Sequence, residues 1–138
     1  MAAGVEPYDV IVVDAFTGDS IPYHLSTKEA IELYMKLLKD DGVVCIHISN
    51  KHLDLKPYIK RIGIDFGMEP IVVTCAEDKA RLGFATVVAF FTRHPEKLRA
   101  LPIGKGLAQL EDLSSVKPMP HMPTDEKGSF LGLLHFSE

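Results

Sequence analysis

Two carboxylates stand where a ligand could use them. Asp14 closes an unbroken apolar run, Val10-Ile11-Val12-Val13, and Asp19 follows five residues later within the turn-rich stretch Thr17-Gly18-Asp19-Ser20. An acid at the end of a buried strand projects into the crevice where open α/β sheets bind their ligands. Two acids there suit a cation such as an amine or a sulfonium. Both also have ordinary readings, Asp14 as a helix or turn cap and Asp19 as a turn residue. His24 sits in the same loop, either orienting a ligand and handling a proton or serving as a plain loop histidine. His47 falls in the carboxyl half of a later strand, facing the same crevice or filling the core. His52, His94, His121 and His135 are scattered, and no pair has metal-ligand spacing backed by a third ligand, so no metal is expected. There is no Gly-x-Ser-x-Gly elbow and no convincing Cys–His pairing.

The elements that must position these groups can be read from periodicity. The run at 10–14 reads as a strand covered on both faces, the habit of parallel sheets. Ser26-Thr27-Lys28-Glu29 has capping-box spacing, with Ser26 starting a helix whose buried face is Ala30, Leu33, Tyr34, Leu37 and Leu38. Asp40-Asp41-Gly42 breaks that helix. A second strand follows at Val43–Ser49. A second helix fits 54–66, capped by Asp54, with Pro57 in its first turn, Ile59, Ile62 and Phe66 inward, and Gly67 ending it. Strands at Pro70–Cys75 and Ala85–Thr92 flank a charged loop, Glu77–Arg81. They lie too close for a helical crossover and read as an antiparallel pair at the sheet edge. Pro95–Leu101 makes a short helix. Beyond 102 the pattern weakens into an extended connector carrying Pro118, Pro120 and Pro123, then an apolar tail, Phe130–Leu134. The first strand has no partner on its outer side, and a bare apolar edge invites another chain.

Bulk properties narrow the classes. The chain has 138 residues, enough for one domain with a real core, and neither a repeat nor a domain boundary shows. Hydrophobic residues make up 46% and charged residues 25%, so disorder is not expected. A net charge of −4 gives no footprint for nucleic acid. Cys45 and Cys75 sit in strand-like apolar runs and read as buried reduced thiols. With no apolar run near the roughly 20 residues a membrane span needs, and no signal-peptide pattern, a soluble cytoplasmic protein is expected.

The segment from Tyr8 to Leu25 resembles the heart of the spermidine/spermine synthase (polyamine aminopropyltransferase) family, more closely its bacterial spermidine-synthase-like branch. That branch reads as an acid-ended strand, Ala-Phe, a small-residue loop with an aspartate, and Ile-Pro-x-His-Leu. Gly42–Asn50 followed by Leu53-Asp54-Leu55 is similar to the branch's next strand and helix. Thr124-Asp125-Glu126 with Ser129-Phe130-Leu131 is similar to its terminal Thr-Asp-Asp-(aromatic)-Ser pattern. Aminopropyltransferases proper separate their two aspartates by two residues and follow directly with proline. Here four residues separate Asp14 from Asp19, and Pro22 comes three later. Those enzymes also grip their nucleoside with a Gly-rich turn after the first strand and an acid after the second. This chain has neither, and Gly104-Lys105-Gly106 follows no buried strand.

The resemblance implies an α/β fold, a partial Rossmann-like domain of the class I S-adenosylmethionine-dependent methyltransferase kind. Its sheet would be mostly parallel with an antiparallel edge pair, equivalent to strands four to seven. The core would span 8–102, with the connector and tail at 103–138. The implied reaction transfers an aminopropyl group from decarboxylated S-adenosylmethionine to a small amine such as putrescine. Asp14 would position the cationic groups, Asp19 would be the base-like partner and His24 an orienting or proton-handling group. Tyr23 and Asp125 would line the amine site, and Asp14 with Ala15 would touch the S-adenosylmethionine-type co-substrate. Partners would be a second copy of the chain or a missing N-terminal half, without which the chain is expected to be inactive. Two other readings stay open: a methyltransferase on the same fold, and a non-catalytic α/β module that assembles with another chain.

Overall fold

Runs of β-branched residues form the strands, and apolar residues at helical spacing form the helices between them. The computed structural model describes residues 4–14, 23–50, 53–77, 80, 85–102 and 108–126. In chain order the elements are β1 (Tyr8–Val13), a 3-10 turn (Tyr23–Leu25), α1 (Lys28–Leu37), β2 (Leu38–His47), α2 (Lys56–Phe66), β3 (Ile71–Cys75), β4 (Thr86–Thr92), α3 (Pro95–Arg99) and β5 (Ala108–Leu110).

These strands make one five-stranded sheet of order β1-β2-β4-β3-β5. Only β1 and β2 pair in parallel; β2 with β4, β4 with β3, and β3 with β5 are antiparallel. The expectation of a mostly parallel sheet with an antiparallel pair at its edge is therefore corrected. β1, β2 and β3 do run in one direction, as the alternation of strand and helix suggests. However, β4 folds back between β2 and β3 instead of lying outside them. Ala89 and Phe91 of β4 are almost wholly inaccessible, in keeping with an inner strand under the helices. The outer position beside β3 goes to the short β5, whose Gln109 and Leu110 are exposed.

The register assigns each strand residue to a face. Val13 lies opposite Ile46, Ile46 opposite Ala89, and Ala89 opposite Val72, and these four belong to one core cluster. Ile31 from α1 and Tyr58, Ile59 and Ile62 from α2 belong to the same cluster, so both long helices cover the same face of the sheet. Burying Ile59 and Ile62 completely stabilises the fold by about 1.5–3 kcal/mol each. The other face carries Val10, Val12, Cys45, His47, Val88 and Phe90. Val10 and Val12 stay 56% and 66% exposed there. The first strand, expected to be covered on both faces, is thus covered on one. It also lies at the sheet's edge, as its lack of an outer partner in the sequence suggested.

Helix boundaries and faces shift slightly from expectation. Thr27, not Ser26, is the N-cap of α1, and its hydroxyl accepts a hydrogen bond from the Ala30 amide. No capping box closes with Ser26, because the Glu29 carboxylate accepts the Asp125 amide instead. The buried stripe of α1 is Ile31, with Tyr34, Met35 and the following Leu38, while Leu33 is 53% exposed. In α2 the cap position is Leu55, although the Asp54 carboxylate still accepts the Lys56 amide at 3.1 Å. Gly67 ends α2 with φ 63°, a left-handed conformation that suits glycine. The segment 119–125 straps across the helices: Met119 donates to Pro57 O and Lys28 donates to Pro123 O. The apolar tail Phe130–Leu134 lies outside the described residues.

Candidate functional site

Parallel strands bring their carboxyl ends together, and the β1/β2 pair does so at Asp14 and His47. Val13 lies opposite Ile46, so the next residues along, Asp14 and His47, meet one rung further on. His47 Nδ1 and Asp14 Oδ1 are 2.8 Å apart. Alternation puts both on the open face, with Val12 and Cys45 one step back along the strands. Asp14 is largely exposed, whereas the His47 side chain is 23% exposed. The other ring nitrogen, Nε2, is shielded from solvent and has no hydrogen-bond partner among the described residues. Burial pushes the Cys45 thiol pKa upward, and the nearby Asp14 charge adds to that shift.

A second cluster forms at the start of α1. Because α1 joins the carboxyl end of β1 to the amino end of β2, its first turn also lies at the carboxyl end of the pair. There the Thr27 hydroxyl donates to Asp125 Oδ1 at 2.8 Å, and His24 Nδ1 lies 3.8 Å from the same oxygen. Ser26 and Thr27 are fully buried, His24 is exposed and Asp125 is half-exposed. Tyr58 of α2 donates to Ser26 O at 2.8 Å, which fixes this turn against the core. A histidine and an aspartate distant in sequence are therefore neighbours.

The residues singled out from sequence divide accordingly. Asp14, His24 and Asp125 all reach the carboxyl end of the parallel pair, in two groups. Asp14 pairs with His47 and His24 approaches Asp125. Ala15 and Asp19 lie outside the described residues, as does the side chain of Tyr23. The direct bond between Asp14 and His47 was missed by considering the two residues separately. Its signal was present in the strand ends: aligning the two apolar runs so that their last hydrophobic residues face each other puts the acid beside the imidazole.

Among the described residues no group of three or more His, Cys, Asp or Glu side chains could hold a metal ion, and no helix is long and apolar enough to cross a membrane. A cavity of about 670 Å³ lined by Met35, Phe66, Met68, Thr92 and Arg93 lies at the other end of the sheet, beside the last turns of α1 and α2. It has no connection with the two clusters. Comparison with family models, with curated proteins and with solved structures gives no match.

Proposed function

We propose that this chain carries the amine-side half of a spermidine-synthase-like transferase site, moving an aminopropyl group from decarboxylated S-adenosylmethionine to a small amine such as putrescine. The observation that carries this reading is the Asp14–His47 pair at the carboxyl ends of two parallel strands, at the margin of an open apolar sheet face. In doubly wound sheets ligands bind beyond the carboxyl ends, where the strand order reverses. Among the described residues β1 has no strand on its outer side, which supports such a reversal. Right-handed crossovers place their helices on one face on one side of the reversal and on the opposite face on the other side. Here α1 and α2 occupy a single face. A second unit of parallel strands docked along β1 would bring its helices over Val10 and Val12 and would supply the nucleoside grip that the 138 residues do not encode.

In such a site the chain's own residues act on the acceptor. Direct displacement moves positive charge from sulfur to nitrogen, and an exposed carboxylate beside the nitrogen stabilises the forming ammonium. In this reading the Asp14–His47 pair supplies that negative charge near the nitrogen, with His47 between the carboxylate and the amine. Asp125, anchored by Thr27 and beside His24 at the start of α1, is a second carboxylate at the same end of the sheet. The acids at this end of the sheet suit a cationic amine acceptor, which favours amine transfer over methyl transfer on the same fold.

Isothermal calorimetry of the chain with putrescine, decarboxylated S-adenosylmethionine and methylthioadenosine tests the reading. Heat with putrescine that disappears in Asp14→Asn, with the melting transition retained, is the expected result. No heat with any of the three ligands removes the transferase reading. A non-catalytic α/β module, which the exposed Val10 and Val12 on the edge strand also fit, then takes its place.

A further inference from the structure

We infer that His47, held by Asp14, is the group that takes the proton from the incoming amine, and that Asp14 is its positioning residue. The inference rests on the transferase reading and deepens it. An amine must be unprotonated to attack carbon, but a carboxylate next to an ammonium raises the amine's pKa and so opposes the loss of its proton. An imidazole has no such conflict: its neutral form accepts a proton at physiological pH, which is why it is the commonest general base.

The geometry supplies what an imidazole base needs. A base must be fixed in one tautomer, with its reactive nitrogen bare, by a partner on the other nitrogen. Asp14 Oδ1 lies 2.8 Å from Nδ1, and a carboxylate oxygen accepts, so in the neutral ring Nδ1 carries the hydrogen and Nε2 the lone pair. Nε2 has no partner among the described residues and is closed off from water. A buried acceptor left unpaired is a deficit that a donor removes on binding. The donor that fits is an alkylammonium N–H. The ring as a whole is 23% exposed although Nε2 is buried, so an amine reaches Nε2 only if the atoms shielding it move aside. On this face the register puts Cys75 at the carboxyl end of β3, two strands away from His47, and Cys45 two residues back along β2.

The step balances. The ammonium gives one proton to Nε2 and becomes a neutral amine. Its lone pair forms the new bond to the carbon attached to the sulfonium, and the carbon–sulfur bond breaks with its electron pair passing to sulfur as a neutral thioether. The product nitrogen keeps its two hydrogens and the positive charge, and His47 releases its proton to solvent.

The test reads nitrogen resonances of the histidines in the whole chain labelled with 15N-histidine, with His47→Gln assigning the signal. The expected neutral His47 has its proton on Nδ1, its Nε2 resonance moves on adding putrescine in the presence of methylthioadenosine, and Asp14→Asn abolishes the tautomer preference. A proton on Nε2 in the wild-type chain overturns the inference without any variant. So does a putrescine titration that moves the His47 backbone amide while leaving Nε2 unmoved; in that case the transferase reading survives and His47 is only a staple between strands. If no resonance responds to either ligand, the reading fails, and the inference falls with it.

Discussion

Replacing Thr27 by valine removes one oxygen from the centre of the second cluster and leaves the shape almost unchanged. Thr27 is fully buried, with φ −79° and ψ 163°, a conformation that a β-branched side chain adopts without strain. Its hydroxyl does two things. The oxygen accepts from the Ala30 amide at 3.3 Å, and the single O–H hydrogen goes to Asp125 Oδ1 at 2.8 Å, the His24 carbonyl at 3.5 Å being the poorer acceptor. Losing the N-cap costs about 1 kcal/mol. The bond to a carboxylate belongs to the stronger class, but half-exposed Asp125 regains water, so below about 1 kcal/mol is lost there. For a chain between the small and medium size classes a total near 2 kcal/mol corresponds to a fall in Tm of about 5–10 °C. Differential scanning calorimetry of Thr27→Val, Asp125→Ala and the double variant measures both parts. The costs should be sub-additive, because either single change breaks the same bond. A fall below about 2 °C, or strictly additive costs, refutes the assignment of Thr27 as the anchor of Asp125.

Two further outcomes follow from packing and charge. Gly63→Ala in an ordinary exposed helix stabilises by about 0.5–1 kcal/mol, but the new Cβ in α2 meets Met68 O at 2.6 Å and Pro70 Cδ at 2.9 Å, so a net loss of about 1–3 kcal/mol and a lower urea midpoint are expected; a raised midpoint contradicts the close approach. The Cys45 thiol, pushed up by burial and by Asp14, holds less thiolate at pH 8 than an unstructured cysteine. Iodoacetamide should therefore label it more slowly, and Asp14→Asn should speed the labelling. A raised thiol pKa contributes stability that is present at low pH and lost as pH rises through the folded-state value. Peptide mapping that finds Cys45 labelled as fast as an unfolded control rules the burial out.

Local patterns identified elements well and neighbours poorly. The apolar runs, Pro57 inside the first turn of α2 and Gly67 beyond its end were visible because each rests on short-range chemistry. The position of β4 was not visible. Antiparallel pairing with β3 is a local hairpin preference, but insertion against β2 depends on where Ala89 and Phe91 find a core, which is a tertiary matter. The buried stripe of α1 was misread for a similar reason. Leu33 and Ile31 are equally apolar, and only the helix's rotation against the sheet decides that Ile31 goes in. At the site, Asp14 was legible from its place at the end of a run. Its bond to His47 needed the strand register; Asp125 was singled out only through the resemblance, and its approach to His24 was not visible at all.

The strap from 119 to 125 also has a consequence for synthesis. The first turn of α1 draws its outside partners from far downstream: the Lys28 amide donates to Pro123 O, Thr27 reaches Asp125, and the Asp125 amide returns to Glu29. Thr27 and Asp125 are 98 positions apart. While the ribosome is still translating the central strands, the turn carrying His24 has no strap, and its donors face water. A nascent chain can thus lay down β1 and α1 early, but it finishes the turn beside them only when residues near 125 have left the exit tunnel.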